Sequence, residues 1–452
     1  MASIGRPFQL LTTLGTIVLP ALLATLIGSS GTAATPSTAR AESLPAFPGA
    51  LGWASHTPGG RGGRIIRVTT LAAAGPGSFI EALETRGPRI LVFEVGGVID
   101  LEQRSVRIAE PHLTIAGQTA PSPGITLIRG GLDVATHDVV IQHLRVRPGQ
   151  AGAAKRSGLE IDAISTLGGA HDVIVDHCSL TWATDENLSA SGPRFEGSNP
   201  EEWRKNTSHR ITFSNNLIAE GLAHSTHSKG EHSKGSLIHD NVTGILIIGN
   251  LYAHNVERSP LFKGGVRGAV INNLIYNPGP RAVHYNLIAE EWGQQPYQTG
   301  QVMLIGNVLR GGPSTPPDLA LFMLGGSGNV ELFAADNLAV DWVGRPLPAE
   351  GRYSTAKASI VHLTSAPPMP EGVTPLPASE VQDSVIRNAG ARPWDRDAVD
   401  KRIIADTIEG RGEIIDSEQQ VGGYPVQTPT RQAFKPADWD LRFMTRRQTP
   451  TS

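Results

Sequence analysis

The chain has 452 residues, 39% hydrophobic and only 5% aromatic, and its 39 lysines and arginines against 42 aspartates and glutamates leave a formal charge of −3. Such a length can bury a sizeable core, as two or three ordinary domains or as one elongated repeat domain. The near balance of charge excludes the basic excess that grips nucleic acid or anionic membranes.

Residues 1–41 read as an export signal. Arg6 supplies the positive start, Leu10 to Ile27 is mostly apolar despite Pro20, and Ala39-Arg40-Ala41 resembles a cleavage site. No later stretch approaches the roughly 18 apolar residues of a membrane span, so cleavage is expected to leave a soluble, secreted or periplasmic chain. An uncleaved anchor is the competing reading of the same stretch. Cys178 is the only cysteine, which rules out an intramolecular disulfide and leaves packing, with metal where one binds, to hold an exported fold.

Short alternating runs then recur: HDVVIQHLRV from residue 137, HDVIVDHCSL from 171, HRITFSNNLI from 209, GILIIGNLYA from 244, GAVINNLIYN from 268, QVMLIGNVLR from 301 and VELFAADNLA from 330. Aligning Leu144, Cys178, Asn216, Asn250, Asn273, Asn307 and Asn337 gives steps of 34, 38, 34, 23, 34 and 30 residues. That loose period is the signature of a solenoid, with the variable lengths looping out of one face. Stacked asparagines can satisfy the polar turn that such a coil must bury. Cys178 occupies the asparagine position and is expected to be a buried small hydrophobe.

LTIAGQTAPSPGI (113–125), VIVDHCS (173–179) and RSPLFKGGVRGAVINNLIYN (258–277) occur in that order. Together they resemble the pectate lyases of polysaccharide lyase family one. The likeness runs from about Phe47 to about Leu338, with Val173 where the family usually has Trp and Lys263 where many members have a second Arg. It implies an all-β fold, a right-handed single-stranded parallel β-helix spanning residues 42–345. It also implies a monomeric lyase that cleaves polygalacturonate, an anionic polysaccharide, by calcium-assisted β-elimination.

Removing the C5 proton beside a uronate carboxylate requires a hard cation to absorb charge, and Ca²⁺ held by carboxylate oxygens suits that task. The resemblance puts Asp162 and roughly Asp185 among the calcium ligands, Glu160 more loosely, with Glu186 in reserve. Glu160 and Asp162 are two apart in the strand-like GLEIDAI and are expected on one face. A further family carboxylate aligns with Ser189, which suggests a site short of one ligand. The first arginine of the family's R-x-P block falls on Arg258 and would be the proton-abstracting base. Asp176 and His177 form a pair read as structural.

The run GLAHSTHSKGEHSKGSLIHD (221–240) is rich in histidine and lysine. Its spacings match no zinc pattern, and Lys229 or Lys234 is expected to meet substrate carboxylates, as is Lys263. Beyond about residue 345 the repeats stop, and ASEVQDSVIRNAG and AVDKRIIADTI look helical. The segment 346–452 is expected to pack on the solenoid or cap its end. Two other functions compete: a hydrolase using Asp162 and Asp185 as acid and base, and a β-helical protein that binds glycans without cleaving them.

Overall fold

A computed structural model of the protein describes residues 44–447; the expected export signal lies outside them. No helix among the described residues is long and apolar enough to cross a membrane.

The alternating runs form strands that pair in parallel with the strand one coil away. His171–Asp176, for example, lies between His137–Gln142 and His209–Ser214, with Val173 opposite Val139 and Ile211. Eleven strands, from Arg64–Val68 to Ile360–His362, stack in this way into a first sheet. After each strand the chain turns a corner, enters a short strand of a second sheet (Leu144–Arg147, Ser179–Thr181, Leu217–Ala219, Leu251–Ala253 and onward), and then loops to a third (Ile164–Thr166, Leu188–Ala190, Leu237–Ile238, Leu261–Lys263 and onward). The architecture is a parallel β-helix. Period-2 alternation sends Val139, Ile141, Val173, Val175, Ile211, Phe213, Ile245 and Ile247 into one continuous core.

The corner between the first two sheets has a simple recipe. One residue takes the left-handed conformation (His143, His177, Asn215, Gly249, Asn272, Gly306 and Asp336, with φ between 49° and 68°), the region where Asn, Asp, His and above all Gly are tolerated. The next residue is buried in all of these coils but the last, where Asn337 is half-buried, and from the third coil onward it is asparagine. Each side-chain oxygen accepts the backbone N–H of the coil before. Cys178 donates to Asn216 at 2.8 Å, Asn216 to Asn250 at 2.8 Å, Asn250 to Asn273 at 3.0 Å, Asn273 to Asn307 at 3.0 Å and Asn307 to Asn337 at 2.9 Å. Cys178, fully buried at the head of this ladder, has its thiol pushed up to about 12 by burial and is inert packing.

The strand stack runs beyond the expected boundary at residue 345. Glu350–Arg352 extends the third sheet and Ile360–His362 the first; three-residue strands set among prolines carry too little periodicity to be read. The two helical segments form Ala378–Asn388 and Ala398–Glu409. They lie along the outer face of the second sheet, where Val381, Val385 and Ile403 pack on Leu217, Leu251 and Leu274. The extension therefore lines the flank. A buried ion network pins it there: Arg147 binds Asp397 at 2.7 Å and Asp400 at 2.9 Å, Arg145 reaches Asp400 at 3.2 Å, and Ser179 donates to Asp400 at 2.8 Å. The last stretch returns to the first coils, with Thr430–Arg431 antiparallel to Val95–Gly96 and Phe434, Trp439 and Met444 on Ile90, Val92 and Ala116.

Two stability measurements follow. Asn250→Ala strands the Asn216 amide and should lower unfolding free energy by about 1–3 kcal/mol in denaturant titration; an unchanged midpoint would mean the ladder carries no weight. Asp400→Ala removes the more buried of the two acids that Arg145 and Arg147 share, and a loss of about 3–5 kcal/mol is expected in the same assay.

Candidate active site

Four loops joining the second sheet to the third, residues 148–163, 182–187, 220–236 and 254–260, stack beside one another. They deliver Asp162, Asp185, Glu186 and Arg258 to one place. Asp162, Asp185 and Glu186 each offer an oxygen within 4.8 Å of the others. Two oxygens bound to one calcium at about 2.3–2.6 Å can be no farther apart than about 5 Å, and an all-oxygen donor set suits a hard cation. On geometry and chemistry this trio fits Ca²⁺.

Each acid is already engaged. Asp162 accepts the Glu186 N–H at 2.8 Å and the Ser189 hydroxyl; burial and the charge of Asp185 push its carboxyl up to about 8. Burial would raise Asp185 too, but hydrogen bonding and charge from His232 and its neighbours hold it below the usual carboxylate range. The position expected to lack a carboxylate, Ser189, thus binds Asp162 with its hydroxyl and is itself supported by Ser165 at 2.9 Å.

Glu160 does not join the trio. Residues 159–162 are irregular and the strand begins only at Ile164, so the alternation that put Glu160 beside Asp162 does not apply. Glu160 turns outward and accepts the Ser228 N–H at 3.0 Å and its hydroxyl.

Arg258 stands against the cluster, its guanidinium paired with Glu186. Its backbone lies at φ 67°, a left-handed conformation that disfavours a non-glycine residue and occurs at functional sites. Burial lowers its pKa from the ordinary arginine value, while the charges of Asp185 and Asp162 oppose that shift. The acids suited to a cation are the same ones that hold the proton on Arg258.

The lysines depart from expectation. Lys234 is 6% exposed and its ammonium binds Glu257 at 2.7 Å; Lys263 is equally buried and pairs with Glu291 and Asp240. Neither is open to a substrate, because a nearby acid on the adjacent coil or loop claims each charge. Lys229 is exposed on its loop. Three residues carried no specific sequence signal. Arg281 pairs with Glu257 and lies 4.5 Å over the Tyr353 ring, partly exposed. His227 and His232, inside the histidine-rich run, stack at 3.7 Å beside the cluster, and His232 reaches Asp185 at 2.6 Å. The Lys229 N–H donates to His227 Nδ1 at 3.1 Å, which leaves the proton of His227 on Nε2, 3.6 Å from Asp185. His232 holds Asp185 by its hydrogen bond, and the stacked His227 braces the His232 ring. His177 lies elsewhere, held to Asp176 at 2.8 Å at the corner of the helix.

A parallel β-helix with an acidic cluster and a half-buried arginine on its loop flank has the build of a polysaccharide lyase. A protein from Aspergillus terreus named probable pectate lyase C is 32% identical over 389 residues, 84% of this chain and 82% of that one. Its namesake from Emericella nidulans is 34% identical over 273 residues, 60% of this chain and about half (54%) of the other. This chain belongs to the pectate lyase family. The solved structure of a pectate lyase bound to hexasaccharide superposes with a TM-score of 0.51 at 14% identity, covering 78% of this chain and 99% of that one, a likeness of fold. No protein-family model matches the chain.

A cation entering the trio must displace the proton on Asp162. Apparent calcium affinity should therefore climb as pH rises toward about 8, by up to about tenfold per unit, and level off above it. Calorimetry at several pH values checks this; a flat profile through that window would contradict it.

Proposed function

We propose that the protein is a secreted lyase that cleaves polygalacturonate by β-elimination, with Asp162, Asp185 and Glu186 holding Ca²⁺ and Arg258 removing the C5 proton. The observation that carries this is the contact of Arg258 with Glu186 of the trio. When bound, the cation neutralises the uronate carboxylate and stabilises the charge that develops beside it.

The protein's own part follows from its electrostatics. Arg258 remains charged while three acids face it, since arginine rarely gives up its proton in proteins. Acids engaged as ligands no longer supply the negative charge that keeps the guanidinium protonated, and burial then favours its neutral form. Neutral Arg258 takes the C5 proton, the released electron pair forms the C4–C5 double bond, and the C4–O4 bond breaks. The leaving oxygen takes a proton from solvent. His227 and His232 keep Asp185 oriented throughout, and Ser189 does the same for Asp162. Lys229 and Arg281, two of the cations with exposed surface near these loops, attract the polyanion.

The hydrolase alternative needs two carboxyl groups separated by about 5–9.5 Å with room for a sugar or water between them. Asp162 and Asp185 instead crowd together with Glu186, which suits a shared cation better. The export signal expected over residues 1–41 supports secretion.

Incubation with polygalacturonate and calcium should give unsaturated, ultraviolet-absorbing ends, and EDTA should abolish them. Saturated products, or cleavage indifferent to EDTA, would sink the reading. Arg258→Lys keeps the charge but moves the accepting atom; kcat should drop by about 10²-fold to 10⁴-fold with a smaller change in KM. Near wild-type kcat in that variant would remove Arg258 from the role of base.

A further inference from the structure

A cavity of about 770 Å³ lies between the first corner of the β-helix and the returning C-terminal segment. Its floor is a column of corner residues from successive coils, among them His143, His177 and Asn215, and its walls include Trp394 and Arg446. It shares no residue with the carboxylate cluster. The corner at His177 precedes the strand Ser179–Thr181, whereas Asp185 and Glu186 follow it, so the two sites lie at opposite ends of that strand.

The floor is rigid and chemically specific. Asp176 is 2% exposed and fully engaged, accepting from Gln142 at 3.0 Å, His177 at 2.8 Å, Ser214 at 2.8 Å and Asn215 at 3.1 Å. It orders its neighbours and has no capacity left for a ligand. His143 differs: it is 8% exposed, stacks on His177 at 5.1 Å, and its Nδ1 has no hydrogen-bond partner. Burial holds its pKa down at about 3, so the ring is neutral at working pH. The side-chain oxygen of Gln118, also on the lining, is likewise buried and unpaired. Buried polar atoms left unpaired cost about 1–3 kcal/mol each, and two of them in residues that line one cavity point to a ligand with hydroxyl groups.

The rim adds two further features. Trp394 is 62% exposed, with its ring edge-on to His143 at 5.0 Å and the Arg392 guanidinium 5.4 Å over it. An aromatic held open above a polar floor is a platform for the apolar face of a sugar ring. Arg392 spends its charge on Asp395 at 2.8 Å. Arg446 is exposed, lies over Trp439 at 5.5 Å, and has no carboxylate partner among the described residues. A single available cation beside a sugar platform favours a saccharide carrying a carboxylate. The volume is in the range of pockets that take ligands of a few rings.

We propose that this cavity is a second, non-catalytic saccharide site that takes a short oligouronide, stacking one ring on Trp394 with its carboxylate toward Arg446 and its hydroxyls on His143 and Gln118. The choice of a uronate rests on the substrate proposed above. Such a site would retain one stretch of polymer while the loop flank works on another.

The test uses the full chain carrying Asp162→Ala, kept in EDTA so that neither cleavage nor metal contributes, and titrated with digalacturonate and trigalacturonate by calorimetry and tryptophan fluorescence. Saturable binding is expected, weakened at least tenfold by Trp394→Ala and by Arg446→Gln added separately, with unchanged thermal unfolding confirming that each variant folds. Neutral galacto-oligosaccharides should bind at least tenfold more weakly than the uronides. Absence of saturable binding, indifference to both substitutions, or equal binding of neutral sugars would overturn the proposal. If the unmodified protein still gave unsaturated products with calcium, the lyase reading would survive that failure; loss of those products would count against the lyase reading alone.

Discussion

Every coil of this protein has to bury a backbone corner, and the structure depends on how that corner is hydrogen-bonded. The asparagine side chain satisfies the amide of the coil before it, so each turn is completed only by its neighbour. That requirement fixes register, because a slip of one residue would turn a strand's core side chains outward. Register in turn decides which loops stand side by side. Glu186, Lys234 and Glu257 are bridged in that order across successive coils, so an acid, a base and an acid alternate down the flank. The carboxylate trio and Arg258 inherit their positions from this stacking.

The charge pattern explains why so acidic a cluster is tolerated before any cation arrives. Asp162 shares its charge with Ser189, Glu186 with Arg258, and Asp185 with His232. Like charges this close would otherwise repel strongly in a half-buried setting. The same economy withdraws Lys234 and Lys263 from the surface, since their partners stand within the protein. Exposed positive charge near the loops is left to groups such as Lys229 and Arg281, and it is local, in keeping with a chain whose overall charge is close to zero.

Features written in local periodicity were legible in the sequence. The strands, the asparagine ladder, the buried Cys178 and the two late helices all follow from spacing and residue type, and Asp162, Asp185 and Arg258 stood in recognisable segments. What escaped depends on contacts between distant parts of the chain. Glu160 points away from Asp162 because the irregular loop at residues 159–162 does not follow the alternation of a strand. The pairing of Lys234 with Glu257 joins residues 23 apart, and that of His232 with Asp185 joins residues 47 apart; no pattern in either segment announces its partner. Arg145 and Arg147 read as ordinary strand residues, yet they are wholly buried against acids about 250 residues later.

The C-terminal segment changes the mechanical character of the molecule. A plain solenoid touches only its neighbours, so its ends can fray and its coils can open one at a time. Here the chain leaves the last coils, crosses the middle ones as two helices clamped by Arg145 and Arg147, and returns as a short strand against Val95–Gly96 near the beginning. It acts as a strap along the flank, tying coils that share no direct contact. Opening the first coil then requires releasing the strap, and releasing the strap uncovers the apolar face of the middle coils. A stack that could melt in pieces becomes one that gives way as a unit, and the loops of the active site keep their alignment until the whole assembly yields.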